Sequence, residues 1–424
     1  MLWRLFYNII AIPIIWIGFQ LFGLTDKKAK RAIRGRRGLF TRLEQQVAKL
    51  PQNAKRIWFH SSSMGEFEQA KPIIAELKKR RPDVQIIVSF FSPSGYEHSL
   101  SYKLADIITY LPFDSSSYAK RFVELIRPSA AVIVRYDVWP NHVWALQDAG
   151  VPTFIANATL RQSTARALPF FKQFHRMIYD RINFILTVSE SDKEAFVSFG
   201  LLRPIVNVIG DTRYDQVWRR RAESKLRHVL DEKILSGKKV LVIGSSWKED
   251  EEAILPACIS LIEQHRDFFI ILVPHEPTVE NLERIETGIN GYASSIRFSN
   301  LNEYKNERVI LIDSVGILMA VYQYAHLAFV GGSFRNGVHN VLEPAAYGIP
   351  VLFGPKYENS QEAQEMLRKD AALMGNTGEE IRGHIHRLLT EDKYEKKFGE
   401  NAEAFVRSHT GATERFLSYL EKII

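Results

Sequence analysis

The feature that most constrains this chain is a pattern that runs, stops and starts again. From Arg56 onward, short β-rich apolar runs alternate with helical periodicity, as parallel βαβ units require, and the first series covers 57–60, 85–90, 107–110, 131–134, 153–156, 184–188 and 206–209. A polar, helix-prone stretch follows at 219–235, containing Arg219-Arg220-Arg221 and leading into Ser236-Gly237-Lys238-Lys239. The alternation then resumes at 240–244, 269–273, 309–312, 327–330 and 350–353. With 424 residues there is enough chain for two separate cores. The expectation is an α/β protein with two Rossmann-like domains at 38–212 and 239–424, joined by a linker at 213–238. From about Gly378 the chain reads as helical and charged, and the pattern leaves room for a terminal helix that returns to the first domain.

The first 37 residues stand apart. They carry +7 of the net charge of +8, with Asp26 as their one acid, so the rest of the chain is almost neutral. That distribution excludes a nucleic-acid partner and favours anionic lipid head groups, because the basic run follows an apolar stretch from Leu5 to Leu24. The stretch has about the length a helix needs to cross a bilayer, although Asn8, Pro13 and Gln20 interrupt it. No Ala-x-Ala cleavage site follows, which favours a retained anchor, and the positive-inside rule puts the remainder on the cytoplasmic face of the inner membrane. Cys258 is the single cysteine and reads as core.

Three blocks can carry chemistry. The first, His60-Ser61-Ser62-Ser63-Met64-Gly65-Glu66, follows the first strand run. Its small residues permit close approach of a ligand, and Glu66 falls near the start of the next helix, where it is either a base or an acid that stabilises the helix dipole. The second, Arg135-Tyr136-Asp137-Val138-Trp139-Pro140-Asn141, follows the fourth run. Asp137, Trp139 and Asn141 could hold sugar hydroxyls by hydrogen bonds and stacking, or the loop could simply pack.

The third block is the strongest. Gly331-Gly332-Ser333 follows a strand run and offers amides to a phosphate, and Asn340 and Glu343 then fall on one face of a predicted helix beginning near His339. Glu343 in that position can take both hydroxyls of a ribose, with a capping box as the alternative reading. Ser245 and Ser246, His275, and Gly316 stand after other strand runs of the same series, so four loops converge on one edge of a sheet. No Asp-x-Asp follows a strand, and His60, His275 and His339 lack zinc-ligand spacing, so neither a metal nor another cofactor is expected.

These blocks, in this order on these strand ends, resemble the Kdo (3-deoxy-D-manno-octulosonic acid) transferase family, and the resemblance runs over nearly the whole chain. It implies a GT-B fold, with two Rossmann-like domains facing across a cleft. It also implies CMP-Kdo as donor and lipid IVA, the lipid A precursor, as acceptor in lipopolysaccharide core synthesis. By that resemblance Glu66 is the catalytic base, and Ser63, Gly65, Asp137, Trp139 and Asn141 lie on the acceptor side. Gly331, Gly332, Ser333, Asn340 and Glu343 bind the nucleotide, joined by Ser245, Ser246, His275 and Gly316. The chain departs from the family pattern at Arg135 and Asp137, where the family commonly has glutamates, at Thr159, where it has arginine, and at Ile317, where it has glutamate. The implied chemistry is single-step inversion, with the acceptor hydroxyl deprotonated as it attacks the anomeric carbon. Two other readings remain: a GT-B transferase using a UDP-sugar on a lipid acceptor, and a non-catalytic, membrane-docked lipid-binding protein.

Overall fold

The computed structural model describes residues 2–160, 166 and 169–424. Contacts divide the chain into two compact units, Met1–Gln216 with Thr410–Ile424, and Val217–His409. The division differs from that drawn on the sequence. It falls within the helix Thr212–Ser224, and it assigns the terminal helix Ala412–Leu420 to the first unit.

The first unit holds seven parallel strands: β1 (Arg56–Ser61), β2 (Gln85–Phe90), β3 (Ile107–Tyr110), β4 (Ala130–Val134), β5 (Thr153–Ala158), β6 (Phe184–Thr187) and β7 (Ile205–Val208). Their order is β3-β2-β1-β4-β5-β6-β7. Side chains of β1, β2 and β4 are buried almost without exception, as a parallel sheet covered on both faces requires. The chain moves outward from β1 to β3 and then crosses back to β4. The switch point therefore lies between β1 and β4, the place where open α/β sheets bind ligands. The first two sequence blocks leave the carboxyl ends of these two strands.

The second unit repeats the plan with β8 (Lys239–Ser246), β9 (Phe268–Pro274), β10 (Ser295–Arg297), β11 (Val309–Leu311), β12 (Leu327–Val330), β13 (Val351–Phe353) and β14 (Leu373–Met374). Their order is β10-β11-β9-β8-β12-β13-β14, all parallel, with the switch point between β8 and β12. Cys258 is core: it is fully buried in the helix Lys248–Gln264, and burial pushes its thiol up to about 12.

The terminal helix docks by two means. Phe416, Leu417 and Leu420 are buried in the first unit's core, while Asp215 accepts the amides of Gly411 and Thr413 at 2.6 and 2.7 Å. At the other end of the chain, Trp3–Thr25 forms one helical stretch long and apolar enough to cross a membrane. Pro13 lacks an amide hydrogen and its ring crowds the preceding turn, which is wound as a π-helix over Tyr7–Ala11. One face of this stretch packs on the first unit: Tyr7 donates to Asp114 at 2.8 Å, and Asn8 and Asn141 exchange amide hydrogen bonds of 3.0 and 2.9 Å. Leu5, Ile9, Ile14, Ile17, Leu21 and Leu24 are exposed on it. Asp26, the lone acid of this region, accepts the Ala29 amide at 2.6 Å and so caps the basic helix Lys27–Gly35.

Candidate functional site

At the first switch point Ser63 and Glu66 form a capping box at the head of the helix Met64–Arg80. The Glu66 carboxylate accepts the amides of Ser62 at 2.5 Å and Ser63 at 3.3 Å, so the helix-start reading of this acid is realised in the structure. It does not exhaust the residue. Glu66 is only 7% exposed, and burial raises its carboxyl above the ordinary value of 4.5; the nearby Asp137 charge raises it further, while the Ser62 amide and His60 pull it down. Gly65 beside it is exposed, and a Cβ there would meet no atom within 4 Å, so no internal packing requires glycine at this position.

The loop after β4 reaches the same place. His60 Nε2 lies 3.1 Å from Asp137 Oδ2, and Trp139 Nε1 donates to the same oxygen at 3.2 Å. Burial raises Asp137, but His60, together with hydrogen bonds from Ser62 and Trp139, outweighs it and holds the carboxyl below its usual range. The other His60 nitrogen lies 2.9 Å from Ser89 Oγ, which also receives Trp58 Nε1 at 2.8 Å. The indole of Trp139 stacks on Phe91 with centroids 4.8 Å apart. Arg135 opens the loop in the left-handed region at φ 64°, a conformation that costs a non-glycine residue energy and that surrounding structure must impose.

Asn141 has a different task from the one expected of it. It is 2% exposed, and its amide donates to Asn8 Oδ1 and, at 2.6 Å, to the Asp114 carbonyl. Its polar groups tie the N-terminal helix to the helix Pro140–Asp148 instead of facing a ligand.

In the second unit the third block holds together in a way the sequence did not suggest. The Gly331 amide donates to the Gly244 carbonyl at 2.9 Å, and the amides of Gly332 and Phe334 donate to the two carboxylate oxygens of Asp250 at 2.7 and 3.0 Å. Ser333 is fully buried, donating to Val330 O and accepting the Gly354 amide. These groups therefore cannot cradle a phosphate in this conformation. The glycines instead permit close approach: a Cβ on Gly331 would lie 2.3 Å from the Ser245 carbonyl oxygen, and one on Gly332, at φ +85°, 2.4 Å from the Gly337 carbonyl oxygen.

Ser246 is likewise internal, donating to Glu251 at 2.7 Å. Ser245 is half-buried and held at φ 55°. The exposed members of the predicted set are His275, Gly316 and Asn340; Glu343 is partly exposed, with Arg220 3.8 Å from its carboxylate. Asn340 Oδ1 accepts the Leu342 amide, and the helix carrying Glu343 is only Leu342–Ala346, shorter and later than expected, because the Val338 and His339 amides bond instead to Lys356 O and Gly331 O.

The loops of β8, β9 and β12 converge in an aromatic stack that the sequence reading passed over. His275 lies between Trp247 and His339, with centroids 4.5 and 4.6 Å away, and the Arg335 guanidinium sits 3.9 Å above Trp247. Trp247 Nε1 donates to His339 Nε2 at 2.9 Å, which requires that nitrogen unprotonated; burial, aided by His275, lowers the His339 imidazole accordingly. The available signal was one aromatic ring following each of three strand ends. Among the described residues no group of three His, Cys, Asp or Glu side chains is placed to hold a metal ion.

Residues 32–216 match the family model described as 3-deoxy-D-manno-octulosonic-acid transferase (kdotransferase). A 3-deoxy-D-manno-octulosonic acid transferase of Haemophilus influenzae is 25% identical over 99% of this chain and 98% of its own length. One from Chlamydophila psittaci is 28% identical over 82% and 81%. Among solved structures, the UDP-GlcNAc 2-epimerase of Neisseria meningitidis superposes with a TM-score of 0.62 at 15% identity, covering 87% of this chain and all of that one. A putative UDP-N-acetylglucosamine 2-epimerase of Listeria monocytogenes gives 0.59 at 15%, over 87% and 96%. At such identity the likeness is one of fold, the pair of Rossmann-like domains called GT-B.

Proposed function

We propose that this chain, similar to Kdo transferases over nearly its whole length, is a glycosyltransferase of that family and moves Kdo from CMP-Kdo to lipid IVA with inversion at the anomeric carbon. One observation carries the residue assignment. Glu66 stands buried at the switch point of the first sheet, raised by its surroundings, with exposed Gly65 beside it. A carboxylate raised above its ordinary value is a better proton acceptor than an unperturbed glutamate. It takes the proton of the acceptor hydroxyl as oxygen attacks the anomeric carbon. The C–O bond to phosphate breaks on the opposite face, and CMP leaves with the electron pair. Asp137, fixed by His60 and Trp139, keeps a second negative charge nearby that sustains the raised Glu66.

Ser63 contributes the loop that carries the base, and Trp139 presents an aromatic edge to the acceptor side. On the donor side Glu343 and Asn340 take the ribose. His275 and Arg335, beside the Trp247 stack, take the phosphate, since the Gly331 and Gly332 amides are engaged by Gly244 and Asp250. Ser245 and Gly316 shape the remaining loops at this edge. The apolar helix and the basic run after it attach the enzyme to anionic lipid, with both units on the cytoplasmic side.

The test is direct. Purified protein is incubated with CMP-Kdo and lipid IVA in the presence of EDTA, product mass is followed, and the anomeric configuration is read by NMR. A Kdo adduct of inverted configuration is expected. No adduct with CMP-Kdo, or one that forms only from a UDP-sugar, overturns the proposal.

A further inference from the structure

Beside the N-terminal helix lies a pocket of about 330 Å³ that no step of the transfer reaction uses. We propose that it binds one anionic phospholipid of the membrane, with an acyl chain against Trp16, Phe19 and Phe113 and its phosphate against Arg36 and Arg37. The inference rests on the membrane attachment proposed above, and it stands whether or not Glu66 is the base.

Three arginines and no carboxylate line this pocket, and one wall is the apolar helix itself. The site therefore pairs an apolar surface with positive charge, the two features that match an acyl chain and an anionic head group. Arg121 is already neutralised by Glu44 at 2.9 Å, whereas Arg36 and Arg37 have no carboxylate partner among the described residues. Arg36 is the informative one. Its guanidinium donates to three carbonyls, Leu111 at 2.9 Å, Ala32 at 3.0 Å and Phe91 at 2.9 Å, and lies 4.7 Å over the Phe91 ring. Burial lowers it to about 10, against an opposing effect of Tyr110, the mark of a cation withdrawn from water without a carboxylate beside it. Three of its five N–H donors are engaged by these carbonyls, and a phosphate oxygen would supply the missing charge.

The apolar wall is held in place. Phe19 packs on Phe91 and Phe113 at 5.9 and 6.5 Å, and the Tyr7–Asp114 and Asn8–Asn141 hydrogen bonds fix the preceding turns on the first unit. A phospholipid would enter a preformed slot, with little ordering cost to the protein.

Full-length protein is floated on vesicles of phosphatidylcholine and phosphatidylglycerol, extracted in mild detergent and examined by native mass spectrometry. One retained phosphatidylglycerol is expected in preference to phosphatidylcholine. Retention should fall at least about tenfold in Phe19→Ser and in Arg37→Gln, while CMP-donor affinity is unchanged. Arg37 is exposed, so its variant carries the test if Phe19→Ser expresses poorly. Equal retention of the two lipids, or wild-type retention by Arg37→Gln, overturns the proposal. So does displacement of the phospholipid by lipid IVA with a raised acceptor KM in the variants, which would make the pocket part of the acceptor site. Failure of the full-length protein to float overturns the attachment and this site with it, whereas failure of Kdo transfer alone leaves the lipid measurement standing.

Discussion

His60 Nε2 and Asp137 Oδ2, 3.1 Å apart, join the carboxyl end of β1 to the loop that follows β4. The pair lies across the switch point of the first sheet, so the two polar blocks of that unit form one electrostatic cluster with Glu66. Burial is the main cause that raises Glu66, and the Asp137 charge raises it further.

Asp137→Asn removes that charge while preserving shape. The Glu66 pKa should then fall, and because a base works only above its pKa, the acid limb of the rate profile should move to lower pH. In the native enzyme the limb should lie above the ordinary glutamate value of 4.5. Profiles of kcat/KM against pH for the two proteins check both statements, and an unmoved limb would detach Asp137 from the base.

Asp250 is the keystone of the second unit's central loop, since it accepts the amides of Trp247, Gly332 and Phe334. Asp250→Leu leaves these donors without their acceptor, so the variant should lose about 3 kcal/mol or more of stability, at roughly 1–3 kcal/mol for each buried unsatisfied donor. Gly332→Ala, which needs a Cβ 2.4 Å from a carbonyl oxygen at positive φ, should lose about 1–3 kcal/mol. Thermal unfolding reads both, and unchanged midpoints would mean that the loop is not held in this way.

Most strands were legible because an apolar run of four or more residues bounded by turn residues leaves a clear period. β10 was not, because Ile296 is the one apolar residue of Ser295–Arg297, and β14 was not, having two residues. The Gly331–Ser333 loop lies at a strand end as read, but the inward hydrogen bonds of its Gly331 and Gly332 amides were not foreseen. Its acceptor, Asp250, lies 82 residues from Gly332, and no local pattern announces a partner at that distance. Asn141 misled for the same reason: its partners Asn8 and Asp114 come from other parts of the chain. Glu66 could be read because a capping box and a strand end are both local, although its burial is a tertiary fact.

Glu343→Gln should weaken CMP-donor binding by about 1–3 kcal/mol, the scale of a charge-assisted hydrogen bond, and leave the fold intact. The five-residue helix that carries Glu343 takes its cap from Asn340, so loss of the charge does not remove that cap. Calorimetry with CMP measures the change, and an unchanged affinity would return Glu343 to a structural role.

The decisive variant is Glu66→Gln. Glutamine keeps one oxygen to accept the Ser62 amide, so the helix start survives, but an amide cannot take up a proton. Turnover should fall by roughly 10²–10⁴ while CMP affinity and the unfolding midpoint stay near those of the parent. The fall should not be recovered at any pH, unlike the displaced limb of Asp137→Asn. Glu68 supplies the control. It is partly exposed and paired with Lys71, so Glu68→Gln should cost at most about 1 kcal/mol of stability and change turnover little. A Glu66→Gln enzyme with parental turnover, or a Glu68→Gln enzyme that is the slower of the two, would remove Glu66 as the base and leave its carboxylate with the capping role that its hydrogen bonds already show.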